Sequence, residues 1–453
     1  MCIMIYDLII IGAGAAGLFA AANVPDDFKT LVIEKTDSPG KKLLLTGSGQ
    51  CNLTNNEPIK SFLTRYGENG KYLRPVLFPF SNKALMSYFE RHGLELTVRE
   101  DGKVFPASMK SKDVLNLLLK LSKDRGVEFV YNTTVAEIIC NNEVASRDEA
   151  NCSDEIAYHD ETNCHAMSAL PDDATCLDNG SGYKYNVQTF DNSNSADSSN
   201  SPNEYFSKRI LIAMGGESYP QTGSDGSLFQ CLERLGIKLV SRRPALTSIY
   251  ADNYPYSSLS GLTFPKTVVT IGPHKCEGSL LFTHKGFSGP PVLTLSRYVN
   301  YGDKMIINYL PERTAEELRL ELIKSASGDL RQIITLLESL TELPRSFLEC
   351  VCLSCNIDKS EKASRLSGKQ MGLLAAKLTT DEFMISGTGG FASAMTTAGG
   401  VDLGEISLQT MESKQHPGLY FVGEVLDVDG DTGGYNLQFA FSSAMGAVTG
   451  LLL

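Results

Sequence analysis

Apolar and polar positions along this chain follow two rhythms. Leu8 to Ile11 and Thr30 to Ile33 are short apolar runs without a charge, the pattern of strands covered on both faces of a parallel sheet. Ala15 to Ala22, between them, is a run of small residues and leucine with helical character. Asn82 to Gly93 places Leu85, Tyr88 and Phe89 on one helical face. Ser111 to Arg125 reads as a helix capped by Ser111 and ended by Gly126. Glu95 to Phe105 reads as a hairpin turning at Asp101-Gly102. Val127 to Ile139 and Tyr183 to Phe190 read as paired strands, Phe206 to Met214 as another strand, and Asp225 to Leu235 as a helix stopped by Gly236.

From about Ser241 the texture changes. Leu246 to Tyr250, Lys266 to Ile271 and Ser279 to Thr283 read as strands. The helical stretches Ala315 to Ser325, Asp329 to Leu337 and Lys369 to Lys377 follow. The style of the beginning then returns, with strand Leu419 to Val422, a glycine-rich loop and helix Leu437 to Leu452. The expected architecture is α/β, with residues 1–240 and 390–453 forming one domain and residues 241–389 an inserted β-rich plus helical domain.

The first domain carries a chemical signature. Gly12, Gly14 and Gly17 supply G-x-G-x-x-G directly after the first apolar run. The first glycine allows the tight turn, the second lets backbone approach a pyrophosphate, and the third lets the helix sit close to the sheet. The helix start favours an anion. Glu34 follows the second strand, where a carboxylate accepts from ribose hydroxyls. Strand, glycines, helix, strand and acid arrive in order, which predicts a dinucleotide site without choosing between NAD and FAD. Gly40 to Asn55 is a polar glycine-rich loop that includes Lys41, Lys42, Thr46, Cys51 and Asn52, a candidate for wrapping the ligand. Met214-Gly215-Gly216 repeats the logic of a strand end meeting a ligand.

Charge is concentrated in one place. The chain of 453 residues has a formal net charge of −12. Between Asn141 and Glu204 stand thirteen acids against Arg147 and Lys184, a net of −11 that leaves −1 elsewhere. This argues against a nucleic-acid partner drawn by excess positive charge. No stretch approaches the ~20 apolar residues of a membrane span, so no membrane partner is expected. The apolar run Leu8 to Ala22 has no basic region before it and contains three glycines, so it is not read as a secretory signal. Cytoplasmic placement and reduced cysteines follow as expectations. The expected assembly is a monomer or small homo-oligomer.

Cys140, Cys152, Cys164 and Cys176 are spaced twelve apart in a degenerate acidic repeat. It lacks the D-x-D-x-D-G order of a calcium loop, leaving a thiolate metal site or, better, an acidic solvated expansion at a hairpin tip. Cys350, Cys352 and Cys355 have no fourth ligand of matching spacing and read as buried free thiols in a helix, so no metal is assigned.

The C-terminal segment completes the picture. A buried strand ends at Gly423-Glu424, and Gly433-Gly434-Tyr435-Asn436 opens a helix whose dipole favours negative charge on a ligand. The alternative is a glycine-rich turn with surface acids Asp427, Asp429 and Asp431. With these motifs stand TGSGQCNLTN at 46–55, DGKVFP at 101–106, AMGGESYPQTGSDG at 213–226, LLFTHKGFSGP at 280–290, TTAGGV at 396–401, TMESK at 410–414 and YFVGEVLDVDGDTGGYNLQ at 420–438. In these stretches, nearly the whole chain resembles the BaiN-type, aminoacetone-oxidase-like family of bacterial NAD(P)/FAD-dependent oxidoreductases.

That resemblance implies a glutathione-reductase-like Rossmann FAD domain interrupted by the insert. It implies that Gly12, Gly14, Ala15, Ala16 and Gly17 hold the pyrophosphate, Glu34 and Lys35 the adenosine side, and Val135 the adenine through its backbone. Lys42, Thr46, Gly47, Gly49, Asn52, Met214 and Gly215 would line the ribityl and flavin region, closed by Gly423, Glu424, Asn436 and Leu437. Gln50 stands where the family commonly has Arg, and the acidic repeat is outside the family pattern.

For catalysis, His284 of the insert has the right type of pKa for proton transfer, against a structural role in a turn. Tyr435 is a comparable acid candidate, and Cys51, without a partner thiol nearby, reads as a packing residue. No second G-x-G-x-x-G follows a strand, so NAD(P)H would bind transiently. The expected function is an FAD-dependent oxidoreductase acting on a small organic substrate such as a conjugated enone. The alternatives are an oxidase using O₂, a regulatory flavoprotein with an acidic docking arm, and a tRNA-modifying flavoenzyme, the last disfavoured by the near-neutral charge outside the acidic stretch.

Overall fold

The computed structural model describes residues 4–141, 182–192 and 202–453. Cys152, Cys164 and Cys176 of the acidic repeat lie outside the described residues, and Cys140 ends a strand.

A five-stranded parallel sheet forms the centre, in the spatial order Leu419–Phe421, Ile210–Ile212, Leu8–Ile11, Thr30–Ile33, Glu128–Val130. The uncharged runs LIII and TLVI are buried at every position, because helices or loops cover both faces. Each Leu, Ile and Val side chain among them contributes about 1.5–3 kcal/mol on leaving water. Helix Tyr435–Leu451 packs on helix Ala15–Ala21, with Phe19 and Phe441 rings 4.9 Å apart. A second, four-stranded sheet holds Ile5–Tyr6, Asn203–Ser207, Tyr185–Asp191 and Thr133–Cys140.

Three local expectations change. Val127 to Ile139 is two strands in different sheets, because the chain turns at Asn132 (φ 54°), whose N–H donates to Thr36 O. Ser111 does not cap its helix; it is the first helical residue, buried, with its hydroxyl donating to Leu44 O at 3.0 Å. The loop Gly40 to Asn55 contains a short helix, Lys41–Leu45, followed by left-handed residues at Gly47, Ser48, Gly49 and Cys51.

The insert is a different construction. Six strands close into a barrel in the order Ile249–Ala251, Gly286–Ser288, His274–Phe282, Thr263–Ile271, Lys304–Asn308, Asp381–Thr388. Helices Ala315–Ala326, Ile333–Thr341, Arg345–Ser354 and Gly368–Thr379 pack on it. Their joint is aromatic: Phe347 reaches Phe264, Tyr256, Phe282 and Tyr309 with ring centroids 4.6–5.8 Å apart. The chain leaves and re-enters the first domain through Leu239–Ala245 and Thr396–Val401, which pair antiparallel.

Candidate functional site

The carboxyl ends of Leu8–Ile11, Thr30–Ile33, Ile210–Ile212 and Leu419–Phe421 open on one cleft. The strand order reverses between Leu8–Ile11 and Ile210–Ile212, which is where open parallel sheets bind ligands. The three motif glycines have different jobs. A Cβ on Gly12 (φ 102°) would lie 2.6 Å from Ala213 O, and one on Gly17 only 2.0 Å from Gly12 O. A Cβ on Gly14 would meet nothing nearer than Ala213 O at 4.0 Å, so at this position the missing side chain leaves space in the cleft wall. No side chain caps the helix that begins there. These residues fit a pyrophosphate.

At one end of the cleft, Glu34 is nearly buried. Its carboxylate accepts from the Ala13 and Thr36 N–H groups and the Thr36 hydroxyl, each at 2.8 Å. That fixes its orientation toward the cleft it lines. Lys35 closes the same end through Asp225 (2.5 Å) and Ser227 (3.0 Å), and Val135 lines it.

The other end is built by residues far apart in sequence. Lys42 binds Glu424 (2.5 Å) and Ser218, and the Ser218 hydroxyl donates to Glu424. Glu424 also accepts from Thr397 N–H at 3.0 Å, while the Thr397 hydroxyl accepts from Glu217 and Ser218 N–H groups. Both oxygens of Glu424 therefore have protein donors, so a sugar-chain hydroxyl would share an acceptor already in use. Ala15, Ala16, Thr46, Met214, Gly215, Gly423, Asn436 and Leu437 also line the cleft. Asn436 spends its amide on Gly430, accepting from its N–H (2.7 Å) and donating to its carbonyl (2.9 Å).

Other expected residues stand elsewhere. Gly17, Gly47, Gly49 and Asn52 are outside the cleft wall. Oriented to suit its neighbours, the Asn52 amide donates to Val104 O and Thr54 O and accepts from Gly434 N–H at 3.0 Å. It braces the loop against the C-terminal helix. Cys51 is buried, which pushes its thiol up to about 12, and it is an unreactive packing residue. Beside Gln50, Arg99 of the hairpin donates to its side chain at 2.6 Å, so a guanidinium stands next to that position after all.

Neither proton-transfer candidate faces the cleft. His284 is exposed at the tight turn where Thr283 N–H donates to Gly286 O, which throws residues 284 and 285 to solvent. Tyr435 is buried and its hydroxyl donates to Glu57 at 2.9 Å; burial, then Glu57, pushes its pKa up. Edge contact with Phe62 and the Arg65 guanidinium over its ring hold it there. The acids Asp429 and Asp431 are not surface groups, since both pair with Arg297 of the insert.

Sequence reasoning missed Ser218, Thr397 and Met395. Ser218 and Thr397 are small polar residues buried beside glycines, in the stretches GGESYP and TTAGGV, which was the available signal. Met395 lines the cleft with 47% exposure.

Fold and cleft together define an FAD- and NAD(P)-type Rossmann oxidoreductase with an inserted barrel and helical subdomain. The chain belongs to the HI0933-like protein Rossmann domain family, whose profile matches residues 6–161 and 178–450. It is 29% identical over 440 residues to a ribosomal RNA dihydrouridine synthase of Haemophilus influenzae, covering 96% of each chain. It is 27% identical over 455 residues to a protein of the same name from Escherichia coli, covering 99% of this chain and 98% of that one. A 3-dehydro-bile acid delta(4,6)-reductase of Clostridium scindens is 28% identical over 448 residues, covering 96% of each.

Proposed function

We propose that the protein is an FAD-dependent reductase of a carbon–carbon double bond conjugated with a carbonyl group, with NAD(P)H as electron donor. The observation that carries this reading is the cleft at the strand ends, joining a dinucleotide cradle at Gly12–Gly14 and Glu34 to an end bordered by Met395. When bound, FAD supplies hydride transfer through its flavin ring. The substrate gains a hydride at the β-carbon and a proton at the α-carbon, and NAD(P)H is oxidised. In this reading Gly12 and Gly14 admit the pyrophosphate, Glu34 accepts from the ribose, and Lys42, Ser218 and Glu424 hold the ribityl side of the wall.

The named relatives support the reaction class. Dihydrouridine arises by saturating the uracil double bond next to a carbonyl, and a 3-oxo-4,6-diene has the same conjugation. Between these substrates, the cleft's charge favours an uncharged ring enone. Lys35, Lys41 and Lys42 are each neutralised by Asp225, Asp37 and Glu424, leaving little field for a polyanion. Uracil within RNA is the second reading, resting on the two relatives of that name.

The test is anaerobic. FAD-loaded protein is bleached with NADH or NADPH and mixed with a 3-oxo-4-ene steroid or with unmodified ribosomal RNA. Flavin reoxidation with a saturated ketone product supports the first reading and the BaiN-type assignment; dihydrouridine in the RNA supports the second. Reoxidation by O₂ alone overturns both in favour of an oxidase.

A further inference from the structure

The insert grips the cofactor-side loop through one buried arginine. Arg297 lies on the turn Ser296–Tyr298 and its side chain is 4% exposed. Its Nε stands 3.1 Å from the Asp429 carboxylate, one Nη donates to Asp429 O (3.1 Å), and the other to Asp431 (2.8 Å). The turn is fixed to the barrel: the Tyr298 ring stacks on His274 with centroids 3.6 Å apart, and the Ser296 hydroxyl accepts from Thr247 N–H. Any movement of the barrel therefore carries Arg297 with it.

What Arg297 holds leads directly to the cleft. Asp429 and Asp431 flank Gly430, and both backbone groups of Gly430 are bonded by the Asn436 side chain, part of the cleft wall. From the opposite side, Arg65 accepts through its carbonyl from Asp431 N–H (2.8 Å), while its guanidinium pairs with Glu57, which also receives the Tyr435 hydroxyl. The first turn of helix Tyr435–Leu451 is thus set by a loop clamped between two arginines from different domains.

We propose that Arg297 is a positioning residue that couples the insert to the cofactor-facing start of helix Tyr435–Leu451, so that filling the cleft stiffens the insert. This rests on the proposed FAD site. The fork of a planar guanidinium reaches Asp429 O and Asp431 at once while its charge stands beside the Asp429 carboxylate, an arrangement a point-charge ammonium does not reproduce.

Hydrogen exchange on the full chain, with and without FAD, reads the coupling without any substrate. In the native protein FAD is expected to slow exchange at residues 290–299 about ten-fold, within the usual range for coupled sites. In Arg297→Met the chain still takes up FAD, but that slowing falls below about two-fold, while protection around residues 12–17 persists. Arg297→Lys, which keeps the charge and loses the fork, gives an intermediate value. Native-like protection of 290–299 in Arg297→Met, or none in the native chain loaded with FAD, overturns the coupling and leaves the proposed function standing. If Arg297→Met does not fold, Arg297→Lys decides, with full native protection overturning the proposal. A native chain that takes up no FAD overturns the proposed function, and the coupling with it.

Discussion

The two halves of this molecule solve the problem of a polar interior in opposite ways. In the cofactor half, glycine lets backbone segments touch: Gly12 and Gly17 bring helix, strand and the Ala213 segment to distances no side chain permits. Polar atoms there end at a cleft, where a ligand can meet them. In the insert, aromatic rings fill the barrel, and its one deeply buried acid is spent internally. Asp381 accepts from Tyr256 (2.7 Å) and Tyr309 (3.2 Å) and pairs with Lys377, with burial pushing its pKa up. Buried chemistry aimed at a ligand and buried chemistry closed on itself look alike in composition. Only the presence of a cavity separates them.

The largest expected effect breaks the first half. Gly17→Ala forces a Cβ to 2.0 Å from Gly12 O, and displacing the helix should cost more than about 3 kcal/mol and abolish FAD retention. Flavin absorbance of the purified variant checks this; a stoichiometric complement of FAD would remove the close-packing argument. Asp381→Asn breaks the second half. It leaves Lys377 without its carboxylate, and because that lysine is a quarter exposed the loss should be about 2–3 kcal/mol. FAD affinity should be unchanged, so calorimetry and flavin titration together separate the halves. Loss of both properties would mean that the insert's core and the cleft are one cooperative unit.

A third prediction lies at the boundary. Burial outweighs Arg297 and raises Asp429 to about 6, with Asp427 and Asp431 adding to the rise and Arg243 opposing it. The folded-state value thus exceeds the unfolded one of about 3.9. The stability this group contributes is fully present below about pH 3.9 and lost as pH rises through about 6. Relative to Asp429→Asn, the native chain should therefore gain thermal stability as pH falls from 7 to 5. A constant difference across that window would show that Asp429 does not titrate there. The smallest effect is expected from His284→Ala: at an exposed turn it should change stability by less than about 0.5 kcal/mol and leave turnover intact. A large loss of turnover with unchanged FAD binding would restore His284 as a proton donor.

Much of the cofactor half could be read in advance because its information is contiguous. Leu8 to Glu34 carries strand, turn, helix, strand and acid within one βαβ unit, and each residue's neighbours are set by local geometry. The insert's strands were partly found, while its closure into a barrel was not, since closure depends on pairings such as Lys304–Asn308 with Asp381–Thr388 across some seventy residues. Side-chain direction was hardest. Tyr435 and Asn436 sit where the motif places them, yet one points to Glu57 and the other to Gly430. No period in the sequence distinguishes those outcomes from a contact with ligand.

The amino-acid sequence by itself determined that a strand–glycine turn–helix–strand unit forms from Leu8 to Glu34 and that a second strand–loop–helix at the C-terminus joins it. The apolar runs and the approach of Gly17 to Gly12 O are local constraints, whereas the space denied to a side chain at Gly12 is set by the distant Ala213 segment. The tertiary structure alone decided that Lys42, Ser218, Thr397 and Glu424 make one network, and that Arg297 crosses from the insert to hold Asp429 and Asp431. Those residues are brought together by sheet order and by the paired strands that lead into the insert. A charge in a sequence acquires its role only when folding removes the water around it and supplies its partner.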